Sequence, residues 1–447
     1  MRSLNQLFVT CLLAISTSCF ANTNTTTPIT PITTFKQLAH QQQTNPDIQV
    51  IDCRDSNYFN GWPQGNATRG GHIPNAINID SKWLTLLTPE QLTTFIKNRG
   101  LSPIKPTVLY CGANGVSAIQ KALKQQGFTS TSGITEPITD YKGKLQKLAN
   151  FEHLVSAKWV DQLINHKQPL YAPQHGYKIV EVEWGPPSTY LLSHIPGSLY
   201  VNTNDIESKP WWNKVSNADL KKVINDLGIR YNTTVIVYAR NNMSAARFAN
   251  FLMYAGVQDV RLLNGGWNAW VNAGYPTQAF INENHDDVSF GKSIPANPQY
   301  LTDLQQAKAL LQQPRDSHSL VSIRTWQEYI GNTSGYDYIK PKGRIKGAKW
   351  GHAGSDSYHM QDFNNPDGTM KSGALIAKQW AKWDIKPTQQ VAFFCGTGWR
   401  ASEAFFYAYV MGWKNISVFD GGWYQWSADK NNPISQGVPD HTPYSAH

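Results

Sequence analysis

The sequence predicts an α/β chain in which one strand–loop–helix unit occurs three times in tandem. Three observations predict it. Short apolar runs end at the same kind of loop in three places: Thr107-Val-Leu-Tyr-Cys111-Gly, Thr234-Val-Ile-Val-Tyr-Ala239-Arg and Gln390-Val-Ala-Phe-Phe-Cys395-Gly. Each leads into a helical pattern that stops at a glycine, Gly127, Gly256 or Gly412. Ahead of each lies a strand ending in charged or polar residues and then a Gly/Pro turn: Val50-Ile-Asp52-Cys-Arg54 to His72-Ile-Pro-Asn-Ala76, Ile179-Val-Glu181-Val-Glu183 to His194-Ile-Pro-Gly-Ser198, and Leu320-Val-Ser-Ile-Arg324 to Gly343-Arg-Ile-Lys-Gly-Ala348.

Taken in order, the chain opens with an export signal over 1–21. Arg2 gives a positive start, Leu7 to Ile15 an apolar stretch, and Ser18 to Ala21 a small-residue end. No later segment is apolar enough to span a bilayer, so the chain is expected to be periplasmic, soluble and without a membrane partner. Residues 22–33, polar and punctuated by proline, are expected to be disordered. The first copy of the unit then occupies 34–150 and the second 151–282. A charged linker rich in Asn and Pro, from Asn282 to Pro298, precedes the third, at 296–440. The 447 residues suit two to four domains, and 12% aromatic residues with few charges fit well-packed cores. The formal charge of +9 is spread without a Lys/Arg run, which favours small anionic substrates over nucleic acid.

Removing the leader leaves three cysteines, Cys53, Cys111 and Cys395, too few for a disulfide framework and without metal spacing. Neither a metal nor a cofactor is expected. Cys395 stands apart. It ends a buried strand, and a turn with Gly396 and Gly398 leads straight into a helix. Such a turn aims backbone N–H groups at one point, at the positive end of a helix dipole, where a thiolate is stabilised. A third feature follows the helix in two copies: Leu263-Asn-Gly-Gly-Trp267 and Phe419-Asp-Gly-Gly-Trp423, each 28 residues beyond the loop position held by Ala239 or Cys395.

A charged strand end, a His-Ile-Pro turn and a Cys loop followed by Asp-Gly-Gly-Trp together resemble the rhodanese domain of sulfurtransferases. The arrangement looks most like exported three-domain bacterial thiosulfate sulfurtransferases. The resemblance implies three tandem rhodanese-like domains, each a parallel five-stranded sheet with helices on both faces. It implies a sulfane sulfur passed from an anionic donor to a thiol or protein-thiol acceptor through a persulfide on Cys395, with Gly396, Thr397, Gly398, Trp399, Arg400 and Ala401 binding the substrate. In the family's strand order Cys53 and Cys111 become near neighbours, which allows a disulfide.

The copies are not chemically equal. Ala239 cannot form a persulfide, so domain two reads as scaffold. Domain one keeps Cys111-Gly-Ala-Asn-Gly but has Thr139 and Asp140 where the Gly-Gly-Trp element belongs, so Cys111 reads as a buried or bonded thiol. In domain three Ser322 replaces the family's usual Asp, and Glu328 stands where members often place a substrate arginine. Arg400 reads as a charge partner at the loop rim, Trp399 as a lid or packing residue, and Arg324 as a buried ion-pair residue. Lys340, Lys342 and Arg344 are placed near the loop by analogy. Two other classes compete: a non-catalytic sulfur carrier or scaffold, and a related Cys-loop phosphatase or arsenate reductase. The latter family's loops run one residue longer than Cys395 to Arg400. The chain is expected to act as a monomer, with Cys395 in a cleft walled by another domain.

Overall fold

The first sheet is parallel, in the spatial order Ile77–Asn78, Gln49–Asp52, Thr107–Tyr110, Thr131–Ile134. The structure, a computed structural model, describes residues 31–440. The expected leader, and the lead-in up to residue 30, lie outside the described residues. The first sheet has four strands among the described residues rather than the five expected. Its missing edge is explained by Ile32, whose N–H donates to the Ser132 hydroxyl (3.1 Å) instead of to a strand carbonyl. Ile32 is also a correction to the disordered lead-in: it is buried with Phe35 and Leu38 in the first core.

The second and third sheets have five parallel strands each. Their orders correspond: Leu154–Val155, Asp259–Leu263, Thr234–Tyr238, Tyr177–Glu183, Leu199–Asn202, and Leu301–Thr302, Ile416–Phe419, Gln390–Phe394, His318–Ser322, Lys349–Trp350. The central strands are continuous apolar runs because helices cover both faces of a parallel sheet; all five residues of Thr234–Tyr238 are buried, as are Val391 to Phe394. In each copy the strand that feeds the loop pairs with the strand bearing the polar end: Asp52 opposite Tyr110, Glu181 opposite Tyr238, Ser322 opposite Phe394.

The copies do not hang as separate beads. From Ile32 on, the described residues form one compact unit. Helix Asn242–Ala255 packs along helix Trp399–Val410, and one apolar core runs through domains two and three. That explains why both helices are apolar nearly all round. The buried Asn264 side chain joins all three copies, donating to the Asn57 side-chain oxygen (2.9 Å) and accepting the Met370 N–H (2.7 Å). Asn150, between domains one and two, donates from its backbone to the Val410 carbonyl (3.0 Å) and from its side chain to that of Tyr409 (2.8 Å). Asn150 thereby adds partners to the last carbonyls of the Trp399–Val410 helix. Cys53 and Cys111 form a disulfide, with Cα atoms 5.1 Å apart.

Candidate active site

Cys395 follows the central strand of the third sheet directly, and the helix Trp399–Val410 starts four residues later with no side-chain cap. The uncapped helix start leaves backbone donors for the loop itself. The Gly398 N–H points at the Cys395 Sγ at 3.1 Å. The loop is clasped from behind by the Gly-Gly-Trp element: the Trp423 N–H donates to the Cys395 carbonyl (2.8 Å) and the Tyr424 N–H to the Gly396 carbonyl (3.1 Å). Cys395 is a free thiol and fully buried. The predicted residues Gly396, Thr397, Gly398, Trp399, Arg400 and Ala401 form one continuous turn around it, all buried except the half-buried Trp399.

Both glycines are required by their neighbours, and Gly398 by the turn as well. Gly398 has φ +116°, and a Cβ there would lie 2.4 Å from the Arg247 guanidinium of domain two. At Gly396 a Cβ would sit 2.2 Å from the Tyr336 ring. Tyr336 and Tyr338 roof the loop. The Tyr336 hydroxyl accepts from Arg400 Nη2 (3.2 Å). Burial raises both phenols, so they stay protonated donors at neutral pH.

Arg400 is not at the rim. It is fully buried and held bidentate by Glu328, at 2.7 Å and 2.9 Å. The reason is local: Thr325 caps the helix Trp326–Ile330, and the capping box turns Glu328 back to the Thr325 N–H (2.9 Å). There its carboxylate also meets Arg324 (3.4 Å), the buried ion pair expected for that residue. Burial alone would raise the Glu328 carboxyl, but Arg400 and then Arg324 outweigh it and hold it down at about 2. Glu328 is thus held between two arginines.

Trp399 is neither a free lid nor simple core. Its indole N–H donates to Glu207 of domain two (2.8 Å), and the buried Glu207 in turn accepts from Arg247 Nε (2.7 Å). Arg247 Nη2 reaches Asp420 of the Asp-Gly-Gly-Trp element (2.5 Å). Lys340 and Lys342 are exposed, with Lys340 donating to the Asp337 carbonyl (2.7 Å), and Arg344 donates to the Gly437 carbonyl (2.6 Å); their segment presents its tyrosines to the loop instead. A cavity of about 790 Å³ lies where all three domains meet, lined by Trp62, Trp83, Trp159 and Asp367 among others, but no residue of the Cys395 loop lines it. Among the described residues no cluster of His, Cys, Asp and Glu could hold a metal, and no helix is long and apolar enough to cross a membrane.

The description "Rhodanese-like domain" matches three stretches of the chain, 34–149, 156–273 and 303–429. The chain belongs to the rhodanese family of sulfurtransferases. It is 48% identical over 403 residues to the thiosulfate sulfurtransferase YnjE of Escherichia coli, covering 90% of this chain and 92% of that protein. The crystal structure of YnjE superimposes with TM-score 0.86, over 92% of this chain and 97% of that one. An anaerobic ergothioneine biosynthesis enzyme from Chlorobium limicola, solved with its natural substrate trimethyl histidine, gives TM-score 0.86 at 35% identity, over 92% and 99% of the two chains. The sulfur carrier protein TtuD of Thermus thermophilus is 27% identical over 65% of this chain and 98% of its own length.

In a rhodanese frame, the sequence reading missed Tyr336, Tyr338, Glu207 and Arg247. The tyrosines left a signal, a Tyr-Asp-Tyr run between turn residues. So did Arg247, the one cation in the apolar helix Asn242–Ala255. What no pattern in domain three reveals is that a neighbouring domain supplies part of the wall.

Proposed function

We propose that this rhodanese protein is an exported sulfurtransferase that carries the moving sulfur as a persulfide on Cys395. One observation carries the reading: a buried thiol at the head of an uncapped helix, facing the Gly398 N–H at 3.1 Å, inside a clasped loop. The Cys395 thiolate attacks the outer sulfur of an anionic donor of the thiosulfate type. A sulfur–sulfur bond forms, the donor's sulfur–sulfur bond breaks, and its electron pair leaves with sulfite. Loop N–H groups and the protonated phenols of Tyr336 and Tyr338 face the charge that passes along the sulfur chain. An acceptor thiolate then attacks the outer sulfur and frees Cys395. The loop length from Cys395 to Arg400 argues against phosphate or arsenate chemistry, and the intact clasp argues against a bare scaffold. Incubating the chain with thiosulfate tests this: a mass gain of one sulfur, located on Cys395, is expected. An unmodified Cys395 peptide after that incubation rejects it.

The mouth of the site favours a second reading of the acceptor. Tyr336, Tyr338, Tyr358, Tyr424 and the domain-two Trp211 form a chain of ring contacts, with centroids 5.0 to 6.4 Å apart. Such a surface suits a flat heteroaromatic acceptor, in line with the trimethyl histidine named for the Chlorobium limicola enzyme. Parallel assays of the sulfur-loaded chain with a simple thiol and with trimethyl histidine decide between them. Export rests on the pattern of residues 1–21, and N-terminal sequencing of protein from a periplasmic fraction tests it.

A further inference from the structure

The fully buried Arg247 has one unused valence. Its Nε donates to Glu207 (2.7 Å), and its Nη2 donates to Asp420 (2.5 Å) and the Trp212 carbonyl (3.2 Å). Nη1 has no hydrogen-bond partner among the described residues. Leaving a guanidinium N–H unpaired in a dry site is costly, so an empty donor of this kind marks a place for an acceptor. Its surroundings supply none: Glu207 Oε2 is taken by the Trp399 indole, and Asp420 Oδ2 by the Lys214 N–H (2.9 Å).

Nη1 also lies against the loop that holds the sulfur. A Cβ on Gly398 would be 2.4 Å from it, and the N–H of that same glycine faces Cys395 Sγ at 3.1 Å. Standard bond lengths around Gly398 then keep Nη1 and Sγ within about 9 Å of each other. A small donor with its outer sulfur at Sγ has its charged head further out, which is where a second, rigidly held donor is needed. The carboxylates on Nε and Nη2 fix the guanidinium plane, so an acceptor at Nη1 meets a preorganised group.

Resting on the sulfurtransferase reading above, we propose that Arg247 recognises the sulfonate head of the donor. The domain without a nucleophile would then read the substrate for the domain that has one. The bond-making step is unchanged: Cys395 takes the outer sulfur, and sulfite departs from Nη1 carrying the electron pair of the broken bond.

The test uses the full chain with Arg247→Lys and Arg247→Gln, reading persulfide on Cys395 by mass spectrometry against donor concentration. Two donors are compared: thiosulfate, and an alkyl hydropersulfide that delivers the same sulfur without a sulfonate. The expected result is a half-saturating thiosulfate concentration raised about tenfold or more in both variants, with a clearly smaller rise for the hydropersulfide. Unchanged thiosulfate dependence overturns the proposal, and so does an equal loss with both donors, which a merely structural arginine would give. Should the variants not fold, the Cys395→Ser chain is titrated with thiosulfate while the Arg247 Nη resonances are followed by NMR. A saturable shift supports the assignment; resonances that stay put while thiosulfate binds, or no binding at all, overturn it. If the parent chain forms no persulfide from thiosulfate, the sulfurtransferase reading fails, while the titration still decides Arg247.

Discussion

The loops at Ala239 and Cys395 occupy the same place in two matching sheets, and the same clasp holds both. The Trp267 N–H donates to the Ala239 carbonyl (3.0 Å) just as the Trp423 N–H donates to that of Cys395 (2.8 Å). The contents of the two cradles differ. In domain two the Arg240 N–H is taken by the Glu183 carboxylate, and the Arg240 guanidinium lies 4.4 Å over the Trp267 ring and donates to the Ser193 carbonyl (2.6 Å). In domain three the glycines leave that space to a sulfur and to groups from outside the loop. The floor differs too. Tyr238 bonds Glu181 (2.7 Å) and Tyr110 bonds Asp52 (2.8 Å), whereas Phe394 faces Ser322, whose hydroxyl has no hydrogen-bond partner among the described residues. The domain-two cradle fills itself with its own charges, and the domain-three cradle keeps a free thiol.

Replacing the sulfur breaks this comparison hardest. Cys395→Ser is expected to reduce sulfur transfer to cyanide to background, while Cys111→Ser, in the disulfide-bonded domain, keeps most of it. A steady-state assay of both variants checks this, and a dead Cys111 variant would move the site to domain one. Restoring the nucleophile in the wrong cradle is the converse: Ala239→Cys on the Cys395→Ser background should gain no persulfide, because Arg240 and Glu183 already fill that loop.

Next in size is the ion pair under the working loop. Glu328→Ala leaves Arg400 and Arg324 buried without their carboxylate, which costs about 3–5 kcal/mol by the usual scale for breaking one partner of a buried pair. Denaturant unfolding at neutral pH measures it. Since the Glu328 carboxyl is held at about 2, below its ordinary 4.5, its contribution is present above pH 4.5 and is lost as the pH falls toward about 2. Reducing the Cys53–Cys111 bridge, which spans 58 residues, should cost up to about 4 kcal/mol by loop-closure entropy and leave the Cys395 loop intact. Thermal melts with and without a dithiol, run beside the transfer assay, check both halves.

The smallest effect sharpens the contrast between the cradles. Burial, with the neighbouring Glu181 charge adding to it, raises the Glu183 carboxyl to about 7. The folded chain therefore keeps a proton that the unfolded chain releases, and stability falls as pH rises from about 4.5 to about 7. Glu183→Gln should flatten that part of the pH–stability curve, leaving the contribution of Glu403, also raised to about 7 by burial. Melting curves across that window for parent and variant decide it.

The three copies, the strand-to-loop junctions and the position of Cys395 were legible because each rests on local signals: apolar runs, glycines at turns, and a fixed spacing to Gly-Gly-Trp. The loop's own residues were legible for the same reason. What was not legible lies across domain boundaries or in the choice between partners. Arg400 reads as a charge partner at the loop rim by its place in the first helical turn, and only the fold shows it buried on Glu328. The fourth rather than fifth strand in domain one turns on a single bond, Ile32 to Ser132, which periodicity cannot weigh. Arg247 and Glu207 belong to a domain whose own loop holds no nucleophile, so reading each copy by itself passes over them.

The helix Asn242–Ala255 has one more consequence, for how the sequence can drift. Nearly all its residues are buried, from Met243 through Met253, against the helix that carries the nucleophile loop. Domain two carries two constraints. At Ala239 to Asn241 the chain is tied by the Trp267 clasp, the Arg240 contacts and the Asn241 helix cap. The face behind, which in a lone rhodanese domain would be open to water, can change only in step with residues 399–410 across the boundary. Substitutions should therefore be inherited in pairs that straddle two domains, and the copy without a loop cysteine cannot be discarded without refitting the one that has it.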